Sequence, residues 1–421
     1  MIKETDKKLD KKFWQNFLKK NDFFKKTSVF KNAFTEEDRT LLYESVQNVL
    51  LERFKRNHFE DGLRIWRSGN ELDAKEVKSF FTENPIDNEY NLLEYCRESF
   101  NEKFGIILNN NECYSEDIAS RIAEMIQPLC DLVGVPPKGY EITVFIGDYG
   151  WTPLGIHTDH QGENVIHFHL GPGDKQMYTW DDKTYNALVP KNTFNNTNIE
   201  PLLHKANKFD FSKNDIYSMP WFENHVGFSG ELSIAVTLWF RSSNNTNYSK
   251  TILNNFTNQF MPKDDRSIPP QIDYLKNDDT FKNFKETVSH HMSDPDISVD
   301  EFLYNMYKDY KLCLMSNAGW SKAPVLNNDI VDFEKFIDYE IYQSKPFKIY
   351  KRNQNSKKLY IFIRGNRLRI RYIKEIETFI DNLNEYKTIS VRQMLRDTEM
   401  DNDALLYLIH NFYKYKGINL K

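Results

Sequence analysis

The sequence predicts an α+β protein in which a helical N-terminal part leads into a set of short β-strands and then into a second, largely helical region. Three observations predict it. Helical hydrophobic spacing dominates residues 9 to 126, and from Tyr140 the pattern turns to short apolar segments broken by Gly and Pro. Beyond Ser242 helical faces return, interrupted by one pair of strand-like runs. A chain of 421 residues has room for two or three such units.

Taken in order, Leu41, Leu42, Val46, Val49, Leu50 and Phe54 fall on one helical face behind the opening Thr35-Glu36-Glu37-Asp38, whose Thr is a natural cap. Strand-like segments then run over Glu141 to Ile146, Asn164 to Leu170, Met177 to Trp180, Asp215 to Met219 and Glu231 to Arg241. Short strands at such spacing suggest a sandwich or small barrel. The polar stretch Ser242 to Lys250 reads as a linker. In the block behind it, Phe281, Phe284, Val288 and then Phe302, Met306, Tyr310 recur at helical spacing, while His290-His291 reads as loop. After Pro346 the runs Leu359 to Ile363 and Arg367 to Arg371 flank a hairpin turn at Arg364-Gly365-Asn366. Helical faces follow at Ile373, Ile376, Ile380, Leu383 and, behind a Ser390-x-x-Gln393 box, at Leu405, Leu408, Ile409, Phe412. A hairpin beside short helices fits a winged-helix-like module. The predicted division is 1–243, 244–344 and 345–421.

Composition narrows the function classes. Lys plus Arg number 56 and Asp plus Glu 61, a net charge of -5, which argues against a protein that coats nucleic acid with its whole surface. The charged start MIKETDKKLDKKFW lacks the apolar core of a signal peptide, and no window approaches a membrane span, so the expected location is cytoplasmic with no membrane partner. Cys96, Cys113, Cys130 and Cys313 form no CxxC pair and read as isolated thiols.

The chemistry centres on Gly155-Ile156-His157-Thr158-Asp159-His160 and on the distant His225 in Tyr217-Ser218-Met219-Pro220-Trp221-Phe222-Glu223-Asn224-His225. On a strand, His157 and Asp159 share a face because side chains alternate with period two. A second His from another strand completes a two-His-one-carboxylate set, which grips one side of an ion and leaves positions open. Iron(II) is the metal such a set usually serves. His167 and His169 also share a strand face and are the alternative ligands of another kind of metal barrel; as ordinary residues they line the barrel or its surface. His160 reads as a solvated or hydrogen-bonded neighbour.

The segment Tyr149 to Trp180, with its HxD, an apolar strand, then Gly173-Asp174-Lys175 and an aromatic, resembles the JmjC and cupin-like oxygenases. The later Asp215-Ile216-Tyr217-Ser218-Met219-Pro220 followed by His225 is similar to a second block of that family, with Asn214 where Gly is usual. Phe13-Trp14-Gln15-Asn16 and Val29-Phe30-Lys31-Asn32-Ala33-Phe34 are similar to the start of its domains. The resemblance implies a double-stranded β-helix (a cupin/JmjC-type barrel) and an Fe(II)- and 2-oxoglutarate-dependent dioxygenase using O2. It implies His157, Asp159 and His225 as metal ligands and Lys175 as the anchor of the 2-oxoglutarate carboxylate, with Arg241 as the substitute cation. Thr152, Asn164 and Thr237 are candidate hydrogen-bonding partners of the same co-substrate.

Between Lys345 and Lys374 there are eleven Lys and Arg and no Asp or Glu, which marks the segment 345–374 for an anionic partner. The element order is similar in layout to ribosomal-protein hydroxylases of the JmjC group, in which the helical block dimerises the enzyme. That layout implies side-chain hydroxylation of a protein or peptide, ribosomal or a precursor peptide, by a homodimer. The alternatives are a small-molecule hydroxylase or other metal cupin, and a non-enzymatic nucleic-acid or peptide-binding protein that uses the basic module.

Overall fold

A computed structural model of the chain describes residues 8–60, 62–189, 195–261, 279–289, 297–327, 333–355, 358–398 and 400–421. The chain divides into two compact units, Met1–Ser243 with Gly319–Lys322, and Asn244–Ala318 with Ala323–Lys421. The second unit thus holds both the helical block and the basic segment. It is a mixed α and β structure whose sheets are antiparallel throughout. Among the described residues no helix is long and apolar enough to cross a membrane.

The first unit opens with α1 (Lys11–Lys20), capped by the Asp10 side chain, and β1 (Ser28–Phe30). Helix α2 (Glu36–Lys55) starts where expected, because Thr35 and Asp38 satisfy each other's backbone N–H in a reciprocal capping box. There follow β2 (Leu63–Arg67), β3 (Asn70–Glu71), α3 (Ala74–Glu83), α4 (Leu92–Ser99), β4 (Phe104–Leu108) and α5 (Glu116–Val133). Helix α5 buries Ile118, Ile122, Met125, Ile126 and Leu129, and the Trp14 indole of α1 donates to the Met125 carbonyl at 3.0 Å.

The strand-rich part comprises β5 (Tyr140–Asp148), β6 (Gly150–Trp151), β7 (Glu163–Pro172), β8 (Lys175–Trp180), α6 (Asp182–Leu188), β9 (Asn207–Phe211), β10 (Ile216–Met219), β11 (Asn224–Ser229) and β12 (Ser233–Arg241). One sheet runs β1-β10-β7-β12-β5-β4-β2-β3 and the other β6-β11-β8-β9. Register aligns side chains into rows: Thr143, Thr237, His167 and Tyr217 are neighbours across four strands. The next row is Arg64, Ile107, Phe145 and Ala235. A cavity of about 540 Å³ is lined by residues of both sheets.

The second unit begins with α7 (Asn245–Phe260), α8 (Asp279–Ser289) and α9 (Val299–Ser316). Helix α7 corrects the linker expected over Ser242 to Lys250: Asn244 accepts from the Asn247 N–H, and this capped, polar first turn hides a helix that pattern alone reads as loop. His290-His291 lies outside the described residues. The unit continues with β13 (Glu340–Tyr342), β14 (Tyr350–Asn355), β15 (Lys358–Ile363), β16 (Asn366–Arg371), α10 (Lys374–Asn384), β17 (Ile389–Ser390), α11 (Val391–Asp397), α12 (Asn402–Lys414) and β18 (Asn419–Leu420). The expected hairpin is the β15–β16 pair, turned by Arg364 and Gly365 at φ 46 and 80, and β14 adds a third strand to it. Leu359, Ile361 and Ile363 pack with Ile376, Ile380, Leu408, Ile409 and Phe412, while Tyr360 and Phe362 pack on the other face with Phe256, Met306 and Cys313.

The basic segment is acid-free in sequence and not in space. Asp309 of α9, 2% exposed, takes Arg352 and Arg367 at 2.5 Å each, and Asp381 of α10 takes Lys351 at 2.8 Å. The Tyr360 ring centroid lies 4.8 and 4.9 Å from the guanidinium carbons of Arg352 and Arg367, and Arg364 is buried against Phe347. Arg369, Arg371 and Lys374 remain exposed, and Lys357 is outside the described residues.

Candidate active site

His157 and Asp159 do not lie on a strand, which corrects the local expectation, yet the main chain gives them a strand-like geometry. The His157 N–H donates to the His225 carbonyl at 3.1 Å, and the His225 N–H returns to the His157 carbonyl at 2.8 Å. Two residues on, the Asp159 N–H donates to the Trp221 carbonyl at 3.0 Å. An extended segment pinned at alternate residues aims both side chains the same way. His225 comes from β11, and one ligand atom from each of the three residues lies within 4.8 Å of the others. Among the described residues this is the group of His, Cys, Asp and Glu side chains able to hold an ion.

The donor chemistry fits a divalent metal. His157 Nδ1 hydrogen-bonds the Gly155 carbonyl at 2.9 Å and His225 Nδ1 the Glu223 carbonyl at 3.0 Å, so both rings carry their proton on Nδ1 and offer the Nε2 lone pair. Burial lowers both imidazoles to about 4, which keeps them neutral as ligands must be. Burial pushes the Asp159 carboxyl up to about 7, and its Oδ2 is buried without a hydrogen-bond partner. A dry carboxylate oxygen beside two neutral imidazoles is a site that a cation would satisfy.

Lys175 opens β8 inside the same cavity and is 5% exposed. Its Nζ stands 5.2 Å from the Phe145 ring and 5.5 Å from Tyr149, and no described residue gives it an ion pair. Thr152 lines the cavity and exchanges hydrogen bonds with Gly227 of β11, accepting from its N–H at 3.1 Å and donating to its carbonyl at 3.0 Å. A Cβ on Gly227 would come within 2.7 Å of the Thr152 hydroxyl and 3.0 Å of Met177 Sδ, so glycine is what lets β11 pack against Thr152.

Thr237 also lines the cavity, hydrogen-bonded to His167 Nδ1 at 2.7 Å. Asn164 does not: alternation along β7 turns Glu163, Val165 and His167 inward and Asn164 to the other face. Arg241 lines the cavity but is held by Glu141 at 2.9 Å and Glu163 at 3.3 Å, so it has no free charge to replace Lys175. His167 and His169 stack at 6.0 Å without a carboxylate in a ligating group; His169 Nε2 donates to the Gly173 carbonyl at 2.8 Å, and His167 Nε2 is buried without a partner. His160 is exposed at the cavity edge. The sequence reading passed over Arg64, Tyr149 and Phe145. The only signal for the first is the alternation of Leu63, Ile65 and Trp66 around it, too short to stand out.

No family model matches the chain, and no curated protein matches it. Among solved structures it is similar to YcfD, a ribosomal oxygenase from Escherichia coli, in complex with cobalt and succinic acid, at 11% identity and TM-score 0.47 over 97% of this chain and 98% of that chain. The same enzyme in complex with cobalt and 2-oxoglutarate aligns at 11% identity and TM-score 0.46 over the same shares, 97% and 98%. A mutant of Bacillus subtilis oxalate decarboxylase OxdC aligns at 8% identity and TM-score 0.19 over 34% of this chain and 26% of that chain. At these values function has to rest on the cavity itself.

Proposed function

We propose that this protein is an Fe(II)- and 2-oxoglutarate-dependent oxygenase that hydroxylates an amino-acid side chain of a protein or peptide. One observation carries the reading: a two-histidine, one-carboxylate cluster and a buried lysine without an anionic partner share one cavity. His157, Asp159 and His225 would hold the iron. When bound, iron would supply the activation of O2 that couples decarboxylation of 2-oxoglutarate to succinate with insertion of one oxygen into a substrate C–H bond.

The chain's own residues do the rest. Lys175 fixes the distal carboxylate of 2-oxoglutarate, since a dianion in a partly dry cavity needs a placed cation, and Thr152 and Thr237 are polar residues lining the same cavity. The carbonyls of Gly155 and Glu223 hold the two ligand rings in one tautomer. Phe145, Val165, Met177 and Met219 line the cavity and keep bulk water from the reacting centre.

On the same reading the two sheets form a double-stranded β-helix, residues 345–421 a winged-helix-like module, and the helical block 244–344 a dimer contact. The substrate is a ribosomal protein or a precursor peptide, and the exposed cations of the segment 345–374, Lys345, Lys348, Arg371 and Lys374 among them, meet an anionic partner. The test is anaerobic loading with Fe(II) and 2-oxoglutarate, then oxygen, with and without fractionated cell peptides. Succinate release and a one-oxygen mass gain in a peptide are expected; no 2-oxoglutarate consumption in any fraction refutes the proposal.

A further inference from the structure

Three cationic side chains of Lys or Arg type line the cavity, and they differ in what neutralises them. Arg241 is paired with Glu141 and Glu163, and Lys175 is taken by the co-substrate on the reading above. Arg64 has neither. It projects from the centre of β2 into the row of Ile107 and Phe145, on the face that lines the cavity. It is half-buried, and its guanidinium carbon lies 5.1 Å from the Trp66 ring two residues along the strand. No described residue gives it a carboxylate or a hydrogen bond.

A guanidinium held on an aromatic face keeps its edge, with its parallel N–H donors, free for a planar anion. Partial burial strengthens that attraction, because the surrounding dielectric is lower than water's. Arg differs from Lys here: the fork sets orientation as well as charge. Lys175 and Arg64 reach the cavity from different sheets, since Lys175 belongs to β8 and Arg64 to β2. With Lys175 and the metal given to the co-substrate on the reading above, Arg64 is the cavity cation assigned to a different molecule.

We propose that Arg64 recognises a carboxylate on the substrate, so that the preferred protein or peptide presents an acidic residue or its C-terminus beside the residue that is modified. The inference rests on the oxygenase reading for where the substrate reacts, and on the cavity alone for what it carries.

The experiment uses the full chain loaded with Mn(II) and 2-oxoglutarate without oxygen, and measures affinity selection from four pools of random hexapeptides. One pool carries a central Asp or Glu with an amidated C-terminus, one a neutral centre with a free C-terminus, one a neutral centre with an amidated end, and one a central Lys or Arg with an amidated end. The expected result is at least fivefold enrichment of one carboxylate pool over the neutral amidated pool, loss of that enrichment in Arg64→Gln, its partial return in Arg64→Lys, and enrichment of the basic pool by Arg64→Glu. The first two pools tell a side-chain carboxylate from a terminal one. Equal selection by wild type and Arg64→Gln overturns the proposal, as does absence of any carboxylate preference in wild type. Weakening of 2-oxoglutarate binding itself by Arg64→Gln, to the same degree as peptide binding, also overturns it, because Arg64 then belongs to the co-substrate. Succinate release by the aerobic iron enzyme is followed in parallel: its absence from wild type removes the oxygenase reading and leaves the selection result to decide Arg64 separately.

Discussion

The basic segment of the second unit and the cavity of the first invert each other. The segment carries eleven cations and no acid over residues 345–374, yet Asp309 and Asp381 reach in from α9 and α10 and Tyr360 lies beside two of the arginines. In the cavity, Lys175 and Arg64 have no anionic partner among the described residues, and Asp159 Oδ2 and His167 Nε2 are buried without a hydrogen bond. Charge density in a sequence measures what a fold has to neutralise; unsatisfied valence in a cavity measures what is left for a ligand.

The comparison breaks first at the metal cluster. Replacing His157 or Asp159 by Ala should abolish stoichiometric metal binding and reduce 2-oxoglutarate consumption by more than the ~10–100-fold that loss of an outer partner typically brings. Retained turnover in His157→Ala with loss in His169→Ala would move the metal to the other histidine pair. In the second unit, Asp309→Ala leaves two half-buried guanidinium groups without their shared anion, and the expected loss is about 3–5 kcal/mol in that unit's unfolding free energy, read from a denaturant titration. A loss near zero would mean that Arg352 and Arg367 are solvated, and the segment would again be a free basic surface.

Lys175→Ala should weaken 2-oxoglutarate by roughly 10–100-fold in a direct titration, the worth of a charge-assisted hydrogen bond. An unchanged Kd would show that another group holds the carboxylate. A further effect concerns a buried acid that is structural. Glu112, 2% exposed, accepts from the Ile142 N–H at 2.9 Å, and burial pushes its carboxyl up to about 8 from the usual 4.5. The folded state therefore keeps a proton that the unfolded chain releases. Its stabilising contribution is complete below about pH 4.5 and is lost as pH rises through 8. Melting temperatures of wild type should fall across that window relative to Glu112→Gln; parallel pH profiles for the two proteins would show that Glu112 does not titrate there.

What was legible in the sequence follows from range. The strands around Val144, Ile166 and Val236 and the helix behind Thr35 show because burial imposes a local period on them, and the HxD and its distant histidine show because ligand sets are written in residue types. Helix α7 was hidden because its Asn-rich first turn looks like loop until Asn244 is seen to cap it. The pairing of Arg352 and Arg367 with Asp309 was hidden because the acid lies far away along the chain. Asn164 was misplaced by one step of alternation, which reverses its face. Arg64 shows locally only as one polar residue in the short apolar run of β2, and its meaning comes from two strand registers read together.

The Gly155 and Glu223 carbonyls fix the ring tautomers, and a separate reciprocal pair of backbone bonds joins His157 to His225. Two of three ligands are tied to each other through main chain, so an ion meets donors already in place and buries little new apolar surface on arrival. Metal uptake by the folded chain should then show a heat-capacity change close to zero and an association rate set by dehydration of the ion, where a site assembled by folding shows a large negative one.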